Sequence, residues 1–200
     1  MDRRRFYDCL SKYYDIVGLF DNYYKRMAVR DLKMPYGGRF LDAGCGGGFL
    51  LGYLKMHCPD CEVFGVDFSL SMVRRAKGMK PGHVSAGDCF CLPFRTGSID
   101  VLFSSFVVDI FSIEEQKRII GEFGRVLDDE GVLVLVNNTC GSGVFYLLSG
   151  FYVILSRCFP NLLLNRPIDS CTVVGKAGGF RLKERRILGF TEIAVFRKGS

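Results

Sequence analysis

The apolar residues of this chain occur as short runs that alternate with longer amphipathic segments. The short runs end in Gly or Asp and predict strands at about residues 39–43, 62–66, 83–86, 99–105 and 131–137, and then a hairpin at about 181–197 that is broken at Gly189. Helical spacing predicts helices near residues 48–57, 69–78, 113–127 and 143–156, preceded by an N-terminal helical segment at about 6–30. This alternation indicates βαβ units and a parallel sheet.

The 200 residues have the length and composition of one packed domain. Apolar residues make up 48% of the chain and charged residues 24%, which excludes a disordered tail. Neither a repeat of about 20 to 50 residues nor a sustained heptad is present, which excludes solenoids and coiled coils. We therefore expect a single α/β domain with a doubly wound, Rossmann-like sheet.

Basic residues exceed acidic residues only slightly. The chain has 27 Lys and Arg against 21 Asp and Glu, a net charge of +6, and its basic clusters are diluted by apolar or acidic neighbours. Solvated helix flanks and strand faces explain such clusters, so the sequence does not predict a nucleic-acid partner.

The nine cysteines and two histidines do not form a metal-binding pattern. Cys58 and Cys61 have the spacing of metal ligands, but Cys89 and Cys91 are one residue too close to supply a second pair, so we expect no metal. The N-terminus carries charges and lacks the apolar stretch of a secretory signal. We therefore expect a cytoplasmic protein with reduced thiols.

Residues 131–156 contain no charged side chain. Polar residues at 137–143 divide this segment into two apolar runs, each shorter than the ~20 residues of a membrane-spanning helix. The second run continues to Leu164 and is apolar around nearly the whole helix. Such a helix either packs in the core or faces something apolar, and at 144–164 this could be a lipophilic substrate or a membrane surface.

A glycine-rich turn follows the first predicted strand. Asp42 ends this strand and is followed by Gly44, Cys45 and Gly46, where the absence of a Cβ on glycine lets backbone N–H groups approach a ligand. The turn lacks the Gly-Lys-Ser/Thr of a phosphate loop, and Phe49 stands where a dinucleotide fingerprint has its third glycine. Asp42 would repel a pyrophosphate but attract a ligand that carries an ammonium and a sulfonium group.

Two further acids end the following strands. Asp67 follows the second strand, where an acid can accept hydrogen bonds from both hydroxyls of a ribose, and Asp88 follows the third, where it can accept one from an adenine amino group. Asp is common in turns and as a helix cap. Three acids on consecutive strand ends behind a glycine-rich turn nevertheless predict a nucleoside site.

These motifs resemble those of the class I S-adenosylmethionine-dependent methyltransferases, in particular the type-11 and ubiquinone/menaquinone methyltransferase-like branch. The resemblance extends from about Tyr13 to Lys198, and the stretches that carry it are residues 41–48, 66–69 with Met72, 87–94, 98–105 and 125–127. It implies a seven-stranded sheet, mostly parallel with an antiparallel last strand, and S-adenosylmethionine as cofactor. S-adenosylhomocysteine would be the product.

The resemblance also implies a role for each matched residue. It places the methionine part of the cofactor at Gly44 and Gly46, with Asp42 anchoring that loop and Cys45 also among the cofactor-binding residues. It places the ribose at Asp67, the adenine at Asp88 and Cys89, and the ammonium at a backbone carbonyl of Ser104 or Ser105. Phe68 and Met72 would pack around the nucleoside, and Tyr14 resembles the aromatic residue of an N-terminal lid. The corresponding parts are a lid (1–37), a cofactor-binding core (38–140), an apolar cap (141–178) and a C-terminal hairpin (179–200).

The acceptor of the methyl group is the least determined part of this prediction. Methyl transfer mainly needs positioning and desolvation, and a base is required only if the acceptor arrives protonated. Asp109, just past the fourth strand, is the candidate base or substrate contact, and a helix cap is its alternative reading. The motifs that mark methylation of adenine or glutamine amino groups, or of cytosine C5, are absent after the fourth strand.

We therefore expect a small acceptor, apolar or aromatic, and no prediction of oligomeric state follows from the sequence. Two alternatives stay open at this point. One is a methyltransferase that acts on RNA or protein, motivated by the +6 charge. The other is a protein that binds S-adenosylmethionine without catalysis.

Overall fold

Seven strands form one sheet in a computed structural model that describes residues 14–30, 32, 34–79, 82–140 and 167–199. The strands are β1 (Arg39–Ala43), β2 (Glu62–Asp67), β3 (His83–Ala86), β4 (Ile99–Ser105), β5 (Leu127–Asn138), β6 (Phe180–Leu188) and β7 (Thr191–Lys198), in the spatial order β3-β2-β1-β4-β5-β7-β6. Strand β7 pairs antiparallel with both β5 and β6, and the other pairs are parallel. The predicted Rossmann-like fold class is confirmed.

Five helices cover the two faces of the sheet within the described residues. Helices α1 (Tyr14–Val29), α2 (Phe49–His57) and α3 (Leu70–Gly78) pack on one face, and α4 (Ile113–Val126) and α5 (Ser170–Ala177) pack on the other. A short 3₁₀ turn, Val108–Ile110, connects β4 to α4. Because successive strand residues point to opposite faces, Phe40 contributes to the first core and Leu41 to the second.

Helix α4 shows how local sequence fixes these elements. Ser112 caps its N-terminus: the Ser112 side chain accepts from the backbone N–H of Glu115, and the Glu115 side chain accepts from the N–H of Ser112. One face of the helix then buries Ile119, Ile120 and Phe123 against the sheet. The opposite face is polar, so the helix has one way to dock.

Two elements differ from the sequence prediction. Strand β5 begins at Leu127 rather than near 131, because Leu127 pairs with Ile99 ahead of a register shift. The ion pair between Glu130 and Arg197 ties this polar beginning to β7. Helix α5 was not predicted, because its eight residues include three that are β-branched and one glycine.

Other predictions fall wholly or partly on residues that the structure leaves undescribed. The helix expected at 143–156 and the apolar segment 144–164 lie outside the described residues, as do residues 1–13 of the expected lid. None of the helices in the described ranges combines the length and apolar character needed to span a bilayer.

Candidate functional site

The carboxyl ends of the central parallel strands meet at one edge of the sheet. The register pairs Asp42 of β1 with Gly65 of β2, and Asp67 of β2 with Ala86 of β3. Three of the sequence-predicted site residues, Asp42, Asp67 and Ser105, are therefore buried at neighbouring strand ends. In open α/β sheets this edge is where ligands bind.

The glycine turn between β1 and α2 has a backbone that only glycine adopts without strain. Gly44, Gly46 and Gly48 have φ angles of 86°, 52° and 82°. A Cβ on Gly44 would lie 2.2 Å from Cγ2 of Val107, which follows β4. The turn is also held against β2, because the N–H of Gly44 donates to the carbonyl oxygen of Val66 at 2.7 Å. It is thus fixed between the ends of two neighbouring strands.

Asp67 connects this turn to the end of β2. Its Oδ2 accepts a hydrogen bond from the N–H of Gly46 at 2.8 Å, and its Oδ1 accepts one from the N–H of Ser69 at 2.9 Å. The hydroxyl of Ser69 in turn caps α3 by accepting from the N–H of Met72. A carboxylate has about four acceptor positions, so these two backbone hydrogen bonds do not by themselves saturate Asp67.

Asp42 is fully buried at the end of β1, and both of its carboxyl oxygens lack a hydrogen-bond partner among the described residues. Burial raises the pKa of this carboxyl from 3.8 to about 7. The positive charge of Lys25 opposes this increase, whereas the negative charges of Asp21 and Asp67 add to it. A buried carboxyl without partners is costly unless a ligand supplies donors or positive charge.

A buried ion pair from α1 lies close enough to act on Asp42. The side chain of Lys25 is only 1% exposed, and its Nζ is 2.7 Å from Oδ2 of Asp21, one helical turn earlier. Lys25, Asp21, Asp42 and Asp67 form what we call the charged cluster. It holds three acids and one base, so its charges favour a cationic ligand.

The residues predicted for the nucleoside occupy the same edge with different exposure. Met72 is buried in α3 and Phe68 is half-buried. Asp88 is exposed, and its Oδ1 accepts from the N–H of Phe90 at 3.0 Å. Burial raises the pKa of the Cys89 thiol, and the charges of Asp67, Asp88 and Asp42 raise it further. The negative charges of these three acids therefore all act on the Cys89 thiol.

The end of β4 supplies the remaining predicted contacts. Ser104 and Ser105 are buried, and their hydroxyls have no hydrogen-bond partner among the described residues. Phe106 follows with φ 52°, a left-handed conformation that is uncommon for a bulky residue and is typical of functional sites. Its ring packs edge-on against Tyr24 of α1. Tyr14 begins α1, but its side chain lies outside the described residues.

Asp109, the candidate base, is fully buried in the 3₁₀ turn after β4. Its Oδ2 accepts a hydrogen bond from the N–H of Asn138 at 3.1 Å, which ties this turn to the end of β5. The helix-cap alternative does not apply to α4, because Ser112 caps that helix. The catalytic role of Asp109 stays a prediction.

Sequence reasoning did not single out Asp21, Lys25, Val107 or Phe106. The spacing of Asp21 and Lys25, one helical turn apart, does signal an ion pair, but such pairs are usually exposed, and nothing in the sequence indicates burial of this one. Val107 and Phe106 are ordinary apolar residues of a strand end. Their importance comes from contacts across the sheet edge, which no local pattern encodes.

An apolar groove of about 320 Å³ lies between the N-terminal ends of α4 and α5. Phe111, Ile113, Ile168 and Val173 provide apolar walls, and Lys117 and Lys176 are among the residues at its border. The N–H of Ile168 donates to the carbonyl of Asn138 at the end of β5, so this groove opens beside the carboxyl ends of β4 and β5.

Comparison with a family model and with known proteins finds similarity to methyltransferases. A family model described as a methyltransferase domain matches residues 41–135. An uncharacterized protein of Methanocaldococcus jannaschii is 32% identical over 137 residues, which are 67% of this chain and 51% of that protein. A ubiquinone/menaquinone biosynthesis C-methyltransferase of Syntrophotalea carbinolica is 29% identical over 175 residues, which are 82% of this chain and 70% of that enzyme. The chain thus spans about half of the first relative and 70% of the second.

A solved structure has the same fold at low sequence identity. An S-adenosylmethionine-dependent methyltransferase from Thermotoga maritima superposes with a TM-score of 0.75 at 18% identity, covering 96% of this chain and 98% of that one. At this identity the match is evidence for the fold alone.

Proposed function

We propose that this chain is a class I S-adenosylmethionine-dependent methyltransferase and that it transfers a methyl group from S-adenosylmethionine to a small, apolar or aromatic acceptor. The observation that carries this proposal is the buried carboxyl of Asp42, which has no hydrogen-bond partner for either oxygen among the described residues. It stands beside a glycine turn and within a cluster of predominantly negative charge.

These residues fit S-adenosylmethionine, which supplies an electrophilic methyl group on a sulfonium when bound. The ligand carries an ammonium and a sulfonium, and the charged cluster has one positive group against three acids. Asp67 ends β2, where an acid can accept hydrogen bonds from ribose hydroxyls, and its bonds to Gly46 and Ser69 hold the carboxylate in place. A pyrophosphate at the glycine turn does not fit, because the ionised carboxylate of Asp42 would repel it.

The protein's part in the reaction is positioning and the exclusion of water. The turn at Gly44 and Gly46 fixes backbone groups at the end of β1, and Asp67 holds that turn to β2. Ser104 and Ser105, whose hydroxyls are buried, and Phe106, whose backbone is strained, stand at the end of β4. Such preorganisation can supply much of the rate enhancement of a displacement reaction.

An apolar acceptor is supported by two observations. The groove between α4 and α5 has mainly apolar walls and opens beside the ends of β4 and β5. The relative from Syntrophotalea carbinolica is described as acting in the biosynthesis of ubiquinone and menaquinone. We therefore propose an aromatic or isoprenoid-like small molecule as the acceptor, which would enter from this side of the sheet.

A labelling experiment tests both parts of the proposal. The full chain is incubated with S-adenosylmethionine labelled in its methyl group and a cell extract, and the products are separated into organic-soluble, aqueous and macromolecular fractions. We expect label in the organic-soluble fraction for the native protein and its loss in Asp67→Ala. The matched control is Asp60→Ala, an exposed acid in the turn between α2 and β2.

Each other outcome contradicts a defined part of the proposal. Label that appears only in protein or RNA overturns the small apolar acceptor and favours the macromolecular alternative. If S-adenosylhomocysteine does not bind in isothermal titration calorimetry, then the cofactor assignment itself is wrong. If it binds but no fraction is labelled across a broad panel of acceptors, then the protein binds the cofactor without catalysis.

A further inference from the structure

A pair of cysteines lies at the edge of the sheet opposite the candidate cofactor site. Cys58 follows the last residue of α2, and Cys61 precedes the first residue of β2, with Pro59 and Asp60 between them. Helix α2 begins at the glycine turn and ends at this far edge, so neither cysteine belongs to the charged cluster. The reaction proposed above does not use them.

The backbone already holds the two cysteines in a geometry that suits a disulfide. The N–H of Cys61 donates to the carbonyl oxygen of Cys58 at 3.1 Å, which closes a four-residue turn. Such a turn keeps its end Cα atoms within about 7 Å, and disulfides span Cα separations of about 4.4 to 6.8 Å. A disulfide between the two cysteines therefore needs little movement of the chain.

The two thiols differ in accessibility. Cys61 is buried, and its Sγ donates to the carbonyl oxygen of Pro35 at 3.8 Å. Burial raises the pKa of the Cys61 thiol, and the neighbouring Cys58 raises it further. Cys58 is half-buried beside the exposed residues Pro59 and Asp60. A small reagent in solution can therefore reach Cys58 first, while Cys61 is placed to react second.

The position of the pair on its helix distinguishes it from the catalytic pair of a disulfide oxidoreductase. A catalytic pair sits at a helix N-terminus, where the positive end of the helix dipole stabilises a thiolate. Cys58 is instead the C-terminal cap of α2. The pair therefore lacks the setting of a catalytic pair, and its disulfide is a modification of the protein rather than a catalytic intermediate.

We propose that Cys58 and Cys61 are a disulfide-forming modification site that is oxidised by a low-molecular-weight disulfide such as oxidised glutathione. The thiolate of Cys58 attacks one sulfur of the reagent, its S–S bond breaks, and one thiol leaves. The thiolate of Cys61 then attacks the Cys58 sulfur of this mixed disulfide, and the second thiol leaves. The protein loses two electrons and two protons, and the reagent is reduced to two thiols.

The location of the pair also predicts that its oxidation leaves the candidate cofactor site unchanged. The new bond links the end of α2 to the start of β2, whereas Asp42 and Asp67 lie at the other edge of the sheet. Cofactor affinity should therefore be the same in the oxidised and reduced proteins. The proposal for Cys58 and Cys61 does not depend on the proposed function, because the oxidation involves only these two thiols and the reagent.

Oxidation of the full chain in glutathione buffers tests the proposal. After incubation, free thiols are blocked with N-ethylmaleimide and the cysteine peptides are identified by mass spectrometry. We expect the native peptide that contains both cysteines to escape blocking and to be lighter by two hydrogen atoms. In Cys61→Ser the glutathione adduct should persist on Cys58 and be at least about tenfold more abundant than in the native protein.

Two further variants complete the test. Cys58→Ser should leave Cys61 without an adduct, because that thiol is buried, and Cys91→Ser, which removes an exposed cysteine elsewhere, should behave as the native protein. The proposal is overturned if both thiols remain fully blocked in oxidised glutathione. It is equally overturned if native Cys58 accumulates as much adduct as Cys58 in Cys61→Ser, or if either cysteine is linked to a different one.

Discussion

The backbone nitrogen of Gly46 lies 2.8 Å from Oδ2 of Asp67, and this hydrogen bond joins the glycine turn after β1 to the end of β2. Asp67 therefore has two roles in the proposed site. It fixes the turn, and its carboxylate can accept a hydrogen bond from a ligand. Substitution at this position should affect binding both directly and through the turn.

We expect Asp67→Ala to weaken the binding of S-adenosylhomocysteine by about 10- to 100-fold, equivalent to roughly 1.5 to 3 kcal/mol. Asp67→Asn keeps a side-chain oxygen for the N–H of Gly46 and should therefore lose less affinity than Asp67→Ala. Isothermal titration calorimetry measures both variants. Wild-type affinity in Asp67→Ala would remove this residue from the site.

Gly44→Ala should destabilise the protein by about 1 to 3 kcal/mol, because its Cβ would lie 2.2 Å from Val107 and its φ of 86° strains an alanine. In Gly44→Ala/Val107→Ala the steric contact is relieved but the backbone strain remains, so stability should be recovered only in part. Urea unfolding compares these proteins with Gly52→Ala, a helical position with open space around it. Equal stability of Gly44→Ala and Gly52→Ala would contradict the role of the turn.

The pH dependence of stability should contain a contribution from Asp42. Burial raises the pKa of this carboxyl from 3.8 to about 7, so between these values the folded protein binds the proton more tightly than the unfolded chain does. The stability that the protonated form provides is present at low pH and is lost as the pH rises through about 7. Asn cannot titrate, so Asp42→Asn should lack this loss.

The native protein should therefore lose roughly 2 to 3 kcal/mol relative to Asp42→Asn between pH 5 and pH 8. Urea unfolding of both proteins at several pH values measures this difference, in which the other titrating groups cancel. Asp100→Asn, at a half-buried acid near the start of β4, serves as the control. A difference that does not change with pH would show that Asp42 is ionised throughout.

Lys25→Met should destabilise the protein by about 1 to 3 kcal/mol, because it removes the ammonium group from the ion pair with the half-buried Asp21. It should also raise the pKa of Asp42 further, since Lys25 now lowers it. The carboxyl carbon chemical shift of Asp42, followed by NMR as a function of pH, reports this change. Lys55→Met, whose ammonium bonds the carbonyl of Cys61 at the opposite edge, should leave that titration unmoved.

Asp109→Asn separates a structural role from a catalytic one. Asn retains an oxygen that can accept from the N–H of Asn138, so it preserves the link between β4 and β5 but cannot take up a proton. Because this carboxylate is buried and already holds Asn138, we expect kcat to fall by less than about threefold. A fall of about 100-fold or more with unchanged stability would instead identify Asp109 as a general base.

The positions of the strand ends could be predicted because local sequence features determine them. Asp42, Asp67 and Asp88 follow apolar runs, and the glycines after Asp42 permit a turn that other residues cannot form. These signals located the sheet edge and the acids on it. Helix α5 carried no comparable signal, since it is held by tertiary contacts such as the hydrogen bond from the N–H of Ser170 to the buried carboxylate of Glu192.

Only part of the charged cluster could be predicted, because the rest of it depends on tertiary packing. Asp42 follows from its place in the motif, but the burial of Lys25 depends on how α1 lies on the sheet. A lysine on a helix normally faces water, and local sequence gives no reason for an exception. The pKa of Asp42 therefore follows from the structure alone, because burial and the distance to Lys25 decide it.

Strand β7 is the last strand in the sequence, yet it lies between β5 and β6. During synthesis on the ribosome, the edge of β5 that pairs with β7 therefore stays unpaired until residues 191–198 have emerged. Residues 132–136 of this strand are all apolar, and an unpaired apolar edge is the kind of surface on which neighbouring nascent chains pair and aggregate. The yield of folded protein in the cell should consequently depend more on the speed of translation through residues 191–198 than on its speed through the earlier strands.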